Sequence, residues 1–388
     1  MLNPWKQVYR GRHMKISIKW LTAGLVGLML QSSSAQSLDE LLNRQLKTIS
    51  PPPSLASFDK LEHLSPLNQD TTNACWSFST ASFYESEMLR LGKPGLRLSM
   101  MFPVYYGFIE KARYYVQTKG QSRFAPGDLF TGVSRIIEKY GMVPLNAYSG
   151  QTDSSSTYNH RQLEQELFRL MKQIKALELW DKELVTAKVK DILNRYLGKP
   201  PETFVYGGQE FTPQMFRDEF MDLPWDDYVK VTSFQYAPFY KYTALNVPDN
   251  WADNENYFNV PLEVFYNNLK HAVINGYSVA FDSDIGEVGR IGDKDVAFVP
   301  AFDIPSDDID QAAREFRFNN GSTTDDHLMH IVGYADSGGE DWFLVKDSWR
   351  TAWDGQFSGY YFFHEDYIKL KVLAYMVHKD GAPDIKQR

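Results

Sequence analysis

Hydrophobic residues recur at every third or fourth position along three stretches in the first half of the chain, and this spacing predicts helices. The three stretches are 75–91, 98–118 and 128–140. Thr72 and Asn73, which precede the first stretch, are residue types that cap helix N-termini, and Gly92 and Gly141 are placed to end the first and third helices. The first half of the chain is therefore predicted to be mainly helical.

A more charged region lies between residues 149 and 261. One face of a long predicted helix that runs to residue 197 is lined by Leu163, Leu167, Leu170, Ile174 and Leu177. Thr212 followed by Pro213 predicts the start of another helix, because proline is favoured at the first helical position. We interpret the region as an insertion of core-facing amphipathic helices, and a partner-binding coiled coil is the alternative.

From residue 261 onward the pattern changes from helices towards strands. A helical pattern covers 261–274, and apolar strand patterns cover 278–281, 330–335, 342–346 and 360–363. Gly338 and Gly339 lie between two of these runs, which predicts a hairpin with a glycine turn. Helices that come first and antiparallel strands that come later predict an α+β fold.

Composition and charge narrow the class of protein. Hydrophobic residues make up 43% of the 388 residues, which is enough for a sizeable core in one large domain or two smaller ones. The formal net charge is -8, and no basic stripe is evident. An acidic chain of this kind is not expected to bind nucleic acid as its main partner.

The first 35 residues differ from the rest and resemble a signal peptide. Lys15 and Lys19 precede an apolar run over 20–30, and small residues follow over 32–35. This run is about half of the roughly 20 residues that a membrane-spanning helix needs. We therefore expect cleavage near residue 35, export to the periplasm or the medium, no membrane span after cleavage, and one mature domain over 36–388.

Cys75 is the single cysteine of the chain, so no intramolecular disulfide can form. A lone thiol in an exported protein is either buried and inert or kept for its chemistry. Cys75 falls at the predicted N-terminus of the first helix, where the helix dipole and unpaired N–H groups stabilise a thiolate. This position makes Cys75 a candidate nucleophile.

A thiol nucleophile needs a base and a group that orients the base. His327 and His330 enter the first hairpin strand, where residues three apart face opposite sides, so one of the two can face the site. Asp347 ends the second hairpin strand and is placed to accept a hydrogen bond from that histidine. Gln69 is a candidate donor to a developing oxyanion. The His-x-x-His pair would not converge on a metal, and we expect neither a metal nor a cofactor.

Three segments resemble motifs of the papain-like cysteine peptidases. Gln69 stands six residues before Cys75-Trp76-Ser77-Phe78, as in the nucleophile segment of that superfamily. His327 stands six residues before the Gly333-Tyr334 pair, and 345–349 resembles the segment usually read Lys-Asn-Ser-Trp-Gly. The resemblance selects His327 over His330 as the base. It also implies that Trp349 shields the contact between His327 and Asp347 from water and that Trp76 supports the nucleophile.

Within that superfamily the chain most resembles the bleomycin hydrolase and aminopeptidase C branch. Residues 98–106 match its aromatic helix, residues 138–144 match its Glu-Lys-Tyr-Gly-Leu-Val-Pro segment, and the insertion over 149–261 is also similar. The resemblance implies a papain-like two-lobed fold, with a helical lobe, an antiparallel β lobe and the active site in the cleft between them.

The resemblance implies a peptidase that hydrolyses peptide bonds of peptides or proteins through a thioester on Cys75, as an aminopeptidase or an endopeptidase. His327 would be the base, Asp347 the orienting group and Gln69 part of the oxyanion hole. Asp347 and Arg350 depart from the family's Asn and Gly, and the roughly fifteen residues after Leu373 lead us to expect a shorter C-terminal arm than the branch has. A catalytically inactive relative that binds peptides is the alternative function, and the oligomeric state is left open.

Overall fold

The computed structural model describes residues 37–152 and 157–385. The predicted signal peptide, residues 1–35, lies outside the described residues. A boundary between Ile49 and Ser50 divides the chain into two compact units, and the described part of the first unit contains helix α1, Ser37–Leu46. All other elements belong to the second unit. The predicted domain limits, 36–388, stay a prediction.

The second unit contains nine further helices in its described part. They are α2 (Cys75–Arg90), α3 (Met101–Gln117), α4 (Phe130–Tyr140), α5 (Arg161–Ala176), α6 (Lys182–Leu197), α7 (Pro213–Met215), α8 (Leu262–Ile274), α9 (Gln311–Asn320) and α10 (Glu365–Lys371). A π-helical turn, Phe216–Met221, continues α7. The three helices predicted over 75–140 correspond to α2, α3 and α4, with ends that differ by a few residues.

Thirteen strands are present in the described residues. They are β1 (Asp59–Lys60), β2 (Phe204–Tyr206), β3 (Gln209–Phe211), β4 (Tyr228–Thr232), β5 (Lys241–Thr243), β6 (Tyr257–Asn259), β7 (Val279–Ser283), β8 (Arg290–Ile291), β9 (Val296–Ala297), β10 (His327–Ser337), β11 (Glu340–Lys346), β12 (Tyr360–His364) and β13 (Val372–His378). All except the β2–β3 hairpin join one sheet, in the order β5-β6-β4-β13-β7-β10-β11-β12-β9-β8, with β1 paired to β10. Most of the strand pairs are antiparallel, which confirms the α+β prediction.

Helix α2 is buried on almost every side, although the sequence predicted only one apolar stripe. Its polar residues Ser77, Thr80 and Glu87 are as buried as its aromatic residues. The polar side chains find local partners: the Ser77 hydroxyl donates to the carbonyl of Met100, and the Thr80 hydroxyl donates to the carbonyl of Trp76. A helix that is covered on all faces holds its N-terminus in a fixed place, and Cys75 lies there.

The predicted cap of α2 is wrong. Ala74 is the N-cap residue and makes no side-chain hydrogen bond to the helix. The Asn73 amide instead donates to the carboxylate of Glu164, and the Thr72 hydroxyl is buried without a hydrogen-bond partner in the described part of the chain. The first turn of α2 therefore keeps its N–H groups free of a side-chain cap, which favours an anion at this helix end.

The long helix predicted to run to residue 197 is in fact two helices, α5 and α6. The chain turns between them, and the Asp181 carboxylate accepts a hydrogen bond from the Leu184 N–H to cap the second. Leu163 and Leu167 are fully buried, as expected, whereas Leu177 lies in the turn and is 75% exposed. The buried faces join the same core as α2, which agrees with helices that face the core.

The predicted insertion over 149–261 also contains strands. Beyond α5, α6 and α7, this segment supplies β4, β5 and β6 to one end of the main sheet. Thr212 caps α7 by accepting from the Met215 N–H, with proline at the first helical position as predicted. The preceding α4 ends at Gly141, whose φ of 82° and close approach to the Pro213 backbone leave no room for a Cβ.

The central strands of the sheet separate two hydrophobic cores. Ala280 of β7 and Leu328 of β10 belong to the core that also contains the apolar residues of α2. Phe281 and Met329, the next residues along each strand, belong to the core on the other face, together with the apolar residues of α8. This alternation is the two-residue period of a strand. It decides which side chains of β7 and β10 face α2.

The described residues contain no helix that is both long and apolar enough to span a membrane.

Candidate active site

Cys75 lies at the N-terminus of α2 and is partly exposed. It lines a cleft with a volume of about 460 Å³, and Gln69, His327 and Trp349 line the same cleft. Other cavities of 540 and 660 Å³ lie elsewhere, so volume alone does not identify the site. The chemistry of the lining residues identifies the site, because this cleft combines a thiol, an imidazole and an amide at a helix N-terminus.

The hairpin of β10 and β11 brings His327 and Asp347 together. His327 begins β10, and Asp347 directly follows β11, so the antiparallel pairing places them at the same end of the hairpin. The distance from His327 Nε2 to Asp347 Oδ1 is 2.6 Å, and both side chains are buried. Asp347 thus makes the contact with His327 that the hairpin pattern predicted.

The thiol and the His327 ring line the same cleft. Because Nε2 of His327 is occupied by Asp347, Nδ1 is the ring nitrogen that is left to act on Cys75. Burial acts to lower the pKa of His327, but the charges of Asp347 and Cys75 and the hydrogen bond to Asp347 raise it to about 10. The imidazole is therefore protonated at neutral pH, between two groups that stabilise its charge.

Asp347 has two further contacts that fix its carboxylate. Oδ1 also accepts from the Trp349 N–H at 2.8 Å, and Oδ2 lies 3.7 Å from Arg290 Nη2. Burial opposes ionisation of Asp347, but the charges of His327 and Arg290 hold its pKa below the usual value. Asp347 is thus an ionised acceptor where the papain-like motif has a neutral amide.

Sequence reasoning missed Arg290, which lies on β8 at the edge of the sheet. Its guanidinium donates to the Thr351 hydroxyl and stacks on the Tyr361 ring, 4.8 Å from the ring centroid. These two contacts orient the guanidinium towards Asp347. No motif marks the residue, because its proximity to Asp347 arises from the order of the strands in the sheet.

Gln69 is held by a residue that the sequence did not single out. The Ser348 hydroxyl donates to Gln69 Oε1 at 2.6 Å, and the Gln69 N–H donates to the Ser348 carbonyl at 2.8 Å. With Oε1 engaged, the amide presents its Nε2 donor to the cleft. This is the orientation that an oxyanion donor beside Cys75 requires.

The two supporting tryptophans have different surroundings. Trp76 is buried, and its indole N–H donates to the Pro126 carbonyl at 3.1 Å. Trp349 meets the edge of the His327 ring, with a centroid distance of 6.1 Å. Trp349 therefore packs beside the contact between His327 and Asp347, as the resemblance implied.

His330 faces away from this group. Its Nδ1 lies 2.8 Å from the Ser82 hydroxyl of α2, deep in the interior. Arg350, a departure from the papain-like motif, is exposed at the start of a 3-10 turn. Within residues 37–152 and 157–385, no group of three or more His, Cys, Asp or Glu side chains could hold a metal ion.

Comparison with known proteins gives one matching family and several relatives. The model of the Peptidase C1-like family matches residues 54–387. Aminopeptidase C of Streptococcus thermophilus is 25% identical over 265 residues, which cover 57% of this chain and 59% of that relative. Aminopeptidase C of Listeria monocytogenes is 22% identical over 432 residues, which cover 96% of this chain and 91% of the relative.

Among solved structures, PepW shares the fold over nearly the whole chain. The crystal structure of PepW from Lactobacillus rhamnosis has a TM-score of 0.69 and 20% sequence identity. The match covers 96% of this chain and 95% of PepW. At this level of identity the likeness concerns the fold.

Proposed function

Because the chain belongs to the Peptidase C1-like family, we propose that it hydrolyses peptide bonds with Cys75 as nucleophile, His327 as acid and base, Asp347 as orienting group and Gln69 as oxyanion donor. The predicted papain-like resemblance and its two-lobed α+β fold are confirmed. The single observation that carries the assignment of roles is that Cys75 and His327 line one cleft while His327 is hydrogen-bonded to Asp347.

The chemistry follows from the charges in that line of contacts. The Cys75 thiolate attacks the carbonyl carbon of the scissile bond, and the carbonyl electron pair moves onto the oxygen. As the oxyanion collapses, the C–N bond breaks and the leaving amine takes the proton from His327 Nδ1. The product of this half-reaction is a thioester on Cys75 and a neutral imidazole.

Hydrolysis of the thioester reverses the proton transfer. The neutral His327 takes a proton from water, the hydroxide attacks the thioester carbonyl, and the second oxyanion collapses with loss of the Cys75 thiolate. Asp347 holds the ring and stabilises the imidazolium in both half-reactions. Gln69 Nε2 and the Cys75 N–H are positioned to donate to the oxyanion, and such donors act mainly in the transition state.

An aminopeptidase is the subclass that the relatives favour. Two relatives that the chain matches carry the name Aminopeptidase C, and the alignment to the Listeria protein extends over most of both chains. We therefore propose that this chain releases residues from the N-termini of peptides. Endopeptidase action is the competing specificity, and a peptide with a blocked N-terminus separates the two.

The test of the proposed function uses Cys75→Ser together with labelling of the thiol. We expect the purified wild type to cleave a mixture of short peptides, and we expect Cys75→Ser to lose activity by a factor on the order of 10⁴ or more. We expect iodoacetamide to label wild-type Cys75 well below pH 8, as an activated thiolate reacts. A wild type that neither cleaves peptides nor reacts with iodoacetamide would favour the inactive, peptide-binding alternative.

Export is a further proposal, supported by the basic, apolar and small-residue segments within residues 1–35. The mature chain would begin near Gln36, in the periplasm or the medium. Mass analysis of the protein from its native host, which should lack residues 1–35, tests this proposal.

A further inference from the structure

Carboxyl groups gather on one side of Cys75, in a part of the cleft that the proposed mechanism does not use. We call Asp249, Asp282 and Asp325 the acidic cluster. Asp249 and Asp325 line the same cleft as Cys75, and the Asp249 N–H donates to Asp325 Oδ2 at 3.1 Å. The Asp249 carboxylate lies against Gly127, where a Cβ would come within 1.9 Å of Oδ2.

Asp282 is the buried member of the cluster. It follows Phe281 on β7 and pairs with Leu328 of β10, so it shares the strand face of Ala280, which is the face towards α2. Its side chain is fully buried, and within residues 37–152 and 157–385 neither carboxyl oxygen has a hydrogen-bond partner. The charges that act on Asp282 most strongly are those of Asp325, Asp249 and Cys75. Asp282 therefore lies on the sheet face towards α2, the helix that begins with Cys75, and is the buried neighbour of the two carboxyl groups that line the cleft.

A buried carboxyl group without a partner is unusual, because burial without a hydrogen bond costs several kcal/mol in an apolar site. The carboxyl groups of the cluster also destabilise one another. Burial and Asp249 raise the pKa of Asp325 to about 7, and burial and Asp325 raise the pKa of Asp282 well above its usual value. Burial also raises the pKa of Asp249, although Lys111 and Arg123 oppose this effect.

The basic residues nearby do not balance these groups. Arg123 pairs with Asp249 at 3.2 Å, but half of the Arg123 side chain is exposed. Lys111 is directed to Asp128 at 3.5 Å and donates to the Gly127 carbonyl at 2.6 Å. Arg290 lines the same cleft, but its guanidinium is directed to Asp347, 3.7 Å from Oδ2. The cluster therefore has room for a further positive charge.

A metal ion is not expected to supply this positive charge, because the described residues contain no set of three or more acidic, His or Cys side chains spaced to hold one. An organic cation is larger and carries several N–H donors, and a primary ammonium has three of them. The cleft is open to the peptide that Cys75 would attack.

We propose that the acidic cluster of Asp249, Asp282 and Asp325 binds an ammonium group of the peptide substrate close to the scissile bond. The proposal rests on the proposed peptidase function and assigns it a substrate class. The ammonium group has two chemical sources, the free N-terminus of the peptide and a lysine side chain. Either source would lie in the same cleft as Cys75.

The primary test measures binding of short peptides to the Cys75→Ala protein by calorimetry, so that hydrolysis does not interfere. One pair of peptides has the same sequence with a free or an acetylated N-terminus. A second pair, both acetylated, carries lysine or norleucine next to the scissile bond. We expect the charged member of one pair to bind at least about tenfold more tightly, and that pair identifies the source of the ammonium group.

Single substitutions then assign the preference to the cluster. Asp249→Asn, Asp282→Asn and Asp325→Asn should each reduce the preference for the charged peptide to about a third or less, with binding of the neutral peptide unchanged. Asp308→Asn, at an exposed position outside the cleft, is the matched control and should keep the full preference. Asp325 is only half-buried, so its variant remains informative if Asp282→Asn fails to fold.

The outcomes separate the two proposals. Equal binding of charged and neutral peptides in both pairs overturns the cluster assignment, even if Cys75 proves catalytic. An undiminished preference in all three folded variants overturns it as well. Loss of the preference in the variants supports the cluster even if the wild type fails to hydrolyse any peptide, which would be a failure of the proposed function alone.

Discussion

His327 and His330 lie three residues apart on β10, and both side chains are buried. The pKa of His327 is raised to about 10, because Asp347 and Cys75 outweigh the effect of burial. The pKa of His330 is lowered well below its usual value by burial and by the charge of Lys346. One histidine is therefore held charged and the other neutral by their neighbours.

The surroundings of His330 explain its neutral state. Its Nδ1 and the Lys346 ammonium both contact the Ser82 hydroxyl, at 2.8 and 2.7 Å, so a cation is already present beside the ring. The ring of Phe83 packs edge-on, 6.1 Å away. A proton on His330 would add a second buried positive charge without an acidic contact to balance it. The difference shows that a strand can place one histidine for catalysis and the next for packing.

The largest expected effect is the difference in activity between variants of His327 and of His330. His327→Ala should lower kcat/KM about 10²–10⁴-fold, because it removes the general acid and base. His330→Ala should lower kcat/KM less than about tenfold in the fraction that folds, since His330 does not contact Cys75. Rates are compared per active site, titrated with a thiol reagent. Similar losses in the two variants would contradict the division between a catalytic and a packing histidine.

The second prediction concerns stability and pH. The folded state holds His330 neutral, whereas the unfolded chain takes up a proton near pH 6.5, so His330 makes the protein lose stability as pH falls below about 6.5. His330→Gln should be less stable than wild type at pH 7.5. The difference in unfolding free energy should shrink by about 1.4 kcal/mol for each pH unit between pH 6.5 and pH 5.

Chemical denaturation at several pH values measures this difference, and His271→Gln, at an exposed histidine, is the control. If the difference in unfolding free energy between wild type and His330→Gln stays constant with pH, His330 does not remain neutral in the folded state. His327 contributes with the opposite sign, because its pKa is raised: its stabilising contribution is present below pH 6.5 and is lost as pH rises towards 10.

The parts of this site that sequence could predict are those with local signals. Cys75 begins a helix with a regular apolar period, Gly338 and Gly339 mark the hairpin turn, and the hairpin then places Asp347 beside His327. Each signal lies within a few residues of the element that it marks, and the family resemblance then selected His327 over His330. The same holds for α7, where Thr212 and Pro213 predicted the start of the helix.

The parts that sequence could not predict depend on contacts between distant segments. Arg290 reaches Asp347 from β8, and Asp282 comes close enough to Asp325 for their charges to interact because β7 lies beside β10 in the sheet. Thr72 and Asn73 have the right chemistry for a cap, but Asn73 is drawn to Glu164 of α5, and Ala74 takes the cap position. Tertiary contacts override a local preference of about 1 kcal/mol.

The smallest expected effect comes from Asp347→Asn, which tests why His327 is charged. Asn keeps Oδ1, which accepts from His327 Nε2 at 2.6 Å and from the Trp349 N–H at 2.8 Å, so the ring stays oriented. Activity at the optimum should therefore fall less than about tenfold. The lost negative charge lowers the pKa of His327, so the alkaline limb of kcat/KM, which reports loss of the imidazolium proton, should move to lower pH.

The same substitution places an amide NH₂ where Asp347 Oδ2 faces Arg290 Nη2 at 3.7 Å, which exchanges an attraction for a contact between two donors. Adding Arg290→Gln should restore part of the stability lost in Asp347→Asn without returning the alkaline limb to its wild-type position, because Arg290 acts on the carboxylate.

Asp354→Asn, at an exposed position, is the control for removal of one negative charge and should leave the pH–rate profile unchanged. The whole pH–rate profile, and not the titration of one residue, is the observable. An alkaline limb that stays in place in Asp347→Asn would mean that the charge of Asp347 does not stabilise the imidazolium, and that Cys75 alone keeps His327 protonated.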